Sequence, residues 1–219
     1  MPKKGETIKT VSFAALVSLV AGVLLLWAGM GLKDRISKNE KVKKYSYILR
    51  ALGVSIPENC SADKVISLYH QSVKTEEVNG VERYLYKKDG AVVSYAYPIQ
   101  GKGLWGTIKG FLAVDPDLCT VKAVSFYELK ETPGLGAEIQ KSGFTKQFKG
   151  KKMMRPCGSG DIILHVKKHG TANKKIEVDG ISGATLTSVA VDKIIVHGIQ
   201  AVAKTRSGHA GAPVGGERQ

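Results

Sequence analysis

The first pattern along the chain is an unbroken apolar run. Val11 to Leu32 carries no charge and contains Leu16, Leu19, Val20, Val23, Leu24, Leu25, Leu26 and Trp27. As a helix of about 22 residues rising 1.5 Å each, it spans roughly 33 Å, enough to cross a bilayer. A cleaved signal peptide competes with this reading. The run, however, exceeds a signal core of roughly 7–15 residues, and Ala28-Gly29-Met30 is a poor small-x-small cleavage site. A retained transmembrane helix is therefore predicted over 11–32, behind a short tail at 1–10. From Lys33 to Leu52 charges interleave with Ile36, Val42, Tyr45, Ile48 and Leu49. That pattern predicts a helical stalk over 33–56, ended at the Gly53–Asn59 stretch by Pro57.

The remainder predicts one α+β domain over 57–204. Ala62 to Val73 carries Val65, Ile66, Leu68 and Tyr69 at helical spacing. Val81–Tyr86 and Ala91–Tyr97 are β-branched and aromatic, and Lys88-Asp89-Gly90 between them signals a hairpin. Gly106–Val114 and Val121–Tyr127 form a second strand pair across Asp115-Pro116-Asp117. Ile162–Val166 and Ile176–Val178 are later strand candidates, and Phe144–Gly150 fits neither period. Residues 205–219, rich in Gly and polar groups, read as a disordered tail.

One stretch joins pattern to chemistry. Asp179-Gly180-Ile181-Ser182-Gly183-Ala184-Thr185-Leu186-Thr187-Ser188 is a polar turn running into a helix striped by Val191, Ile194, Ile195, Ile199 and Val202. Helix starts present unpaired N–H groups and the positive end of the dipole, so a phosphate fits there. Ser and Thr at such places also serve as plain caps. Local chemistry leaves both readings open.

Composition narrows the partners. The 219 residues carry a net charge of +14. The basic residues are spread along the chain without a nucleic-acid motif, so the charge is read as solvated surface, part of it at a lipid bilayer, and nucleic acid is not expected as a partner. The three cysteines, Cys60, Cys119 and Cys157, contain no C-x-x-C pair. They are read as unpaired and structural, with one disulfide as the alternative. No histidine spacing suits a metal: His165 and His169 are four apart, but Ile162–Val166 reads as a strand and Gly170 follows His169. No G-x-G-x-x-G follows a predicted strand, so no NADH site is expected on this chain.

Two further segments stand out. Gly101-Lys102-Gly103-Leu104-Trp105-Gly106 reads locally as a turn followed by a packed Trp. Glu131-Thr132-Pro133-Gly134-Leu135-Gly136 carries a type II turn signal and reads locally as a surface loop.

In this order, the three segments are similar to those of a family of membrane-anchored FMN-binding domains. Together with the apolar anchor and its Gly31-Leu32-Lys33-Asp34 exit, residues 5–203 resemble the family of C subunits of the sodium-translocating NADH:quinone oxidoreductases. The resemblance implies FMN esterified through its phosphate to Thr185 by a flavin transferase that uses FAD as donor. Asp179, Ser182, Gly183 and Ala184 complete the flavinylation motif Asp-x-x-Ser/Thr-Gly-Ala-Thr. Leu186 and Thr187 follow it as further implied cofactor-binding residues, with Thr187 and Ser188 either capping the helix or touching the phosphate. Trp105, Glu131, Thr132 and Leu135 are implied ring or ribityl contacts. Thr185 would be an attachment residue and not a catalytic one.

The implied role is an electron relay from a membrane-embedded iron–sulfur centre to the flavin of a neighbouring subunit. The implied complex oxidises NADH, reduces ubiquinone and exports sodium. Its other membrane subunits would be the partners, in the bacterial inner membrane, with a single pass and a periplasmic flavin domain. The basic flank opposes that orientation: Lys3, Lys4 and Lys9 precede the span, while Lys33, Arg35, Lys38, Lys41, Lys43 and Lys44 follow it. The alternatives are the G subunit of the related Rnf complex, a membrane-anchored FMN-binding sensory module, and a scaffold subunit without redox function.

Overall fold

A computed structural model describes residues 4–57, 59–157 and 160–207. The chain divides into two units, Met1–Val42 and Lys43–Gln219. The described residues of the first unit are helix. Helix α1, Lys4–Leu52, starts there and ends in the second unit. It begins within the residues expected as a tail, and it is not interrupted at the apolar-to-charged boundary near Leu32. Leu, Lys, Arg and Glu all favour the helical backbone, so the change in polarity alters only what surrounds the helix. Its apolar side chains from Ile8 to Ile36 are exposed, and the helix is long and apolar enough to cross a membrane. It ends at Leu52, where Gly53 adopts a φ of 84° and the Val54 amide bonds back to the Leu49 carbonyl. The stop therefore precedes Pro57.

The second unit is built on a five-stranded antiparallel sheet in sequential order. Helix α2, Ala62–Ser72, is capped by the Ser61 hydroxyl and runs directly into strand β1, Val73–Val78. The pattern did not predict β1, whose sequence VKTEEV carries edge-strand charges in place of an apolar alternation. Strands β2 (Val81–Lys88), β3 (Ala91–Lys102), β4 (Thr107–Val114) and β5 (Val121–Glu128) follow as hairpins. The β2–β3 turn has positive φ at Asp89 and Gly90, as its residues predict.

Alternation of side chains gives the sheet two covered faces. On one face, Tyr84, Ala96, Phe111 and Ala113 lie buried along with Ile48, Leu49 and Leu52 from the end of α1. There the Ser94 hydroxyl donates to the Leu52 carbonyl, and Tyr45 stacks on Tyr69 of α2. The other face buries Leu85, Tyr95, Tyr97, Ile99, Ile108, Leu112 and Phe126 under helix α4, Thr185–Ser207. The stripe of Val191, Ile194, Ile195, Ile199 and Val202 fills that layer. By length and apolarity α4 could also span a membrane, but its packing on β3 makes it a core helix.

The chain between β5 and α4 completes this layer with little regular structure. Phe144–Gly150 resolves into helical turns: α3, Ser142–Thr145, and a 3-10 turn, Lys146–Phe148, bury Phe144 and Phe148 edge to face. The expected strand 162–166 shrinks to the ends of two-residue strands, β7 (Asp161–Ile162, paired with β6, Met154–Arg155) and β8 (Val166–Lys167). The strand expected at 176–178 moves to β9, Val178–Asp179, parallel to β8. Leu164, Val166 and Val178 are apolar because they enter the core, and burial does not require a continuous ladder. Helix α4 continues through Ser207, past the expected boundary at 204, and residues 208–219 of the expected tail lie outside the described residues.

The cysteines correct the sequence expectation. Cys119 and Cys157 form a disulfide, their Cα atoms 5.6 Å apart, while Cys60 is a free thiol. Their separation of 38 residues carries no local signal; the β4–β5 turn and the segment after β6 bring them together.

Candidate functional site

Three loops meet at the N-terminus of α4. The first is the tip of the β3–β4 hairpin, where the Gly103 amide bonds to the Gly106 carbonyl at 2.7 Å and Leu104 and Trp105 project between them. The second is the Glu131–Gly136 turn, closed by Thr132, whose carbonyl accepts the amides of Leu135 and Ala137. The third is the Gly180–Ser188 turn into α4. Around a cavity of about 230 Å³ they supply Leu104, Glu131, Thr132, Leu135, Gly136, Gly183, Ala184, Thr185, Leu186 and Thr187.

Ala184 occupies the cap position: its carbonyl accepts the Ser188 amide, the first bond of the helix. Alanine has no side chain that can cap. Among the described residues, the amides of Thr185, Leu186 and Thr187 donate to no carbonyl or side chain. Three free donors and the positive helix end thus border a cavity into which the exposed Thr185 opens. The neighbouring hydroxyls are engaged. Thr187 donates to Glu131 Oε2 at 2.6 Å, and Ser188 accepts from the Ile181 amide and donates to the Ala184 carbonyl, both at 3.0 Å. Thr187 and Ser188 are therefore internal ties.

The apolar lip is equally specific. Among the described residues of the second unit, the large apolar side chains left exposed are Leu104, Trp105, Leu135, Leu186 and Val189. Leu104, Leu135 and Leu186 line the cavity, Trp105 follows Leu104, and Val189 lies one turn beyond Leu186. Trp105 is 68% exposed, so it is not the packed residue that local reading gives. An apolar patch gathered at one place on an otherwise polar surface marks a binding site.

Asp179 and Ser182 stand apart from this cavity. They line an adjacent hollow with Lys141, Gln147, His169 and Lys174. Asp179 Oδ1 accepts the amides of Gly170 (2.9 Å) and Ala172 (3.2 Å), while Gln147 bonds both its backbone N–H and its carbonyl. The Ala172 amide bond holds the Asp179 carboxyl below the usual carboxylate range against a desolvation effect, with further help from the Gly170 amide, His169 and Lys174. The Asp179 carboxylate thus ties the Gly170–Ala172 loop to β9, which precedes the turn into α4. The histidines are similarly engaged: His165 Nδ1 faces Asp192 Oδ1 at 3.1 Å and His169 Nδ1 donates to the Gly180 carbonyl at 3.0 Å.

Of the residues singled out from sequence, Glu131, Thr132, Leu135, Gly183, Ala184, Thr185, Leu186 and Thr187 line one cavity, Trp105 flanks it, and Asp179 and Ser182 do not reach it. Sequence reading missed Leu104 and Gly136, although both lie inside the highlighted segments. Trp105, the larger neighbour, drew attention away from Leu104.

Comparison with known proteins identifies what the chain is similar to. Residues 103–200 match the FMN-binding domain family. The C subunit of the Na(+)-translocating NADH-quinone reductase of Neisseria meningitidis serogroup B is 33% identical over 215 residues, covering 80% of this chain and 83% of that protein. The protein of the same name from Haemophilus ducreyi is 43% identical over 112 residues, 51% of this chain and 43% of that protein. The crystal structure of the C subunit from Parabacteroides distasonis superposes with a TM-score of 0.67 at 30% identity, covering 80% of this chain and 96% of that one.

Proposed function

The chain belongs to the family of C subunits of the Na(+)-translocating NADH-quinone reductases, and from that premise we propose that it is a membrane-anchored electron-transfer protein of such a complex, with FMN esterified to Thr185. The observation that carries this reading is the convergence of the three loops on one cavity, with an exposed Thr185 hydroxyl beside three unpaired helix amides. The residues present fit the group. A phosphate suits the helix N-terminus, and an aromatic ring suits the lip of Leu104, Trp105 and Leu135. FMN, when bound, supplies the redox chemistry, and the protein supplies position and electrostatics. Enclosing ligand sites measure roughly 300–1,000 Å³. The cavity of about 230 Å³ is smaller, so part of the cofactor would rest on the open lip, where a redox partner can approach.

The partners of this reading are the other membrane subunits of such a complex and, for maturation, a flavin transferase. The exposed apolar part of α1 fits anchoring in a bacterial inner membrane. The Cys119–Cys157 disulfide supports placing the second unit on the periplasmic side, since disulfides persist in oxidising compartments. The basic flank after the span points the other way.

The test is direct. Co-expression with a flavin transferase should give a flavin-fluorescent band on a denaturing gel, and Thr185→Ala should abolish it. Fluorescence that survives the substitution removes Thr185 as the attachment residue. A dark wild-type band alongside a flavinylated control protein removes the covalent reading.

A further inference from the structure

Resemblance casts Glu131 as a contact to the cofactor, but its surroundings give it other work. The residue is 6% exposed, and both carboxylate oxygens are taken up by the protein. Oε1 accepts the amides of Leu104 (2.9 Å) and Trp105 (3.2 Å); Oε2 accepts the Thr187 hydroxyl (2.6 Å). The three donors belong to two elements far apart in sequence, the hairpin tip and the first turn of α4. We propose that Glu131 is a positioning residue, a buried pin that locks the β3–β4 hairpin tip to the start of α4. In doing so it sets the gap between the Leu104–Trp105 lip and the Thr185 hydroxyl.

The chemistry of the pin is specific. A carboxylate only accepts, and here it meets only donors. Glutamine at this position would keep one accepting oxygen for the two amides and could turn its NH₂ toward the Thr187 oxygen, which also accepts. Alanine would take the acceptor from two part-buried amides and from the buried Thr187 hydroxyl. Because Thr187 is spent on the pin and is 2% exposed, Thr185 is the threonine of the first turn of α4 whose hydroxyl is left to the cavity. The consequence for cofactor loading rests on the FMN reading above; the pin itself does not.

The experiment uses the full chain, co-expressed with a flavin transferase and purified in detergent, as wild type and as Glu131→Ala, Glu131→Gln, Thr187→Val and Thr187→Ser. Flavin per chain and hydrogen exchange of the Leu104 and Trp105 amides are measured on each. Glu131→Ala should lower the flavin content and speed exchange at both amides by about tenfold or more, the scale expected for losing a buried acceptor. Glu131→Gln should restore both readouts. Exchange at wild-type rates in Glu131→Ala overturns the proposal. So does a Gln variant as poor in flavin as the Ala variant, which would mean that the charge itself touches the cofactor. If Glu131→Ala does not fold, the Thr187 pair decides: Ser should protect and Val should not, and equal behaviour overturns the pin. Should wild type take up no flavin while the exchange pattern holds, the FMN reading falls and the pin stands.

Discussion

At the scale of residues, the site depends on close approach. A Cβ on Gly136 would lie 2.6 Å from Thr187 Oγ1 and 2.7 Å from Glu131 Oε2, inside the hydrogen bond that joins them. Both atoms would have to shift, and their hydrogen bond with them. Gly136→Ala should therefore cost about 1–3 kcal/mol, as overpacking usually does, and should reduce flavin loading. Gly143→Ala is the matched control, since nothing lies within 4 Å of its Cβ position. Chemical denaturation of the two variants should separate them, and equal stability would count against the crowding. The sequence showed Gly136 as the last letter of a turn, and its role depends on Thr187, 51 positions later by their numbers.

Among the elements, the β4–β5 turn has a titratable anchor in Asp117. Burial pushes the Asp117 carboxyl up. The hydroxyl of Thr120, the amides of Cys119 and Thr120 and the Lys152 ammonium outweigh that effect and hold the carboxyl well below its ordinary range. A depressed folded-state pKa contributes stability that is present above the unfolded value, about 3.9, and lost as pH falls through the folded one. Thermal midpoints should accordingly decline below about pH 4, and Asp117→Asn should flatten that decline while lowering the plateau at neutral pH. An unchanged acid profile in the variant would show that other carboxylates govern it. The turn was legible from Asp115-Pro116-Asp117. Its attachment to Lys152, and through the Asp117 carbonyl to Arg206 at the end of α4, was not. Strand β1 was missed for a related reason, because an edge strand has only one neighbour and its sequence need not alternate.

For the whole molecule, the open question is the side of the membrane, and the thiols answer it experimentally. Cys60 is free and partly exposed, whereas Cys119 and Cys157 are joined. A membrane-impermeant maleimide should label intact spheroplasts at Cys60, and Cys60→Ser should remove the label. Labelling that appears only after lysis would put the second unit in the cytoplasm and favour the basic-flank count.

The sequence by itself determined what depends on near neighbours. The apolar run, the β2–β5 hairpins, the stripe of α4 and the turn before Thr185 follow from periodicity and turn chemistry acting over a few residues. The tertiary structure decided what depends on distance along the chain: the disulfide across 38 residues and the Glu131–Thr187 bond across 56. It also decided that Trp105 stays outside while Phe144 and Phe148 go in. Such pairings carry no local period, because any of several polar or apolar partners would satisfy the same residue. The tertiary packing selects among them, and the seating of α4 on the sheet brings three loops to one site.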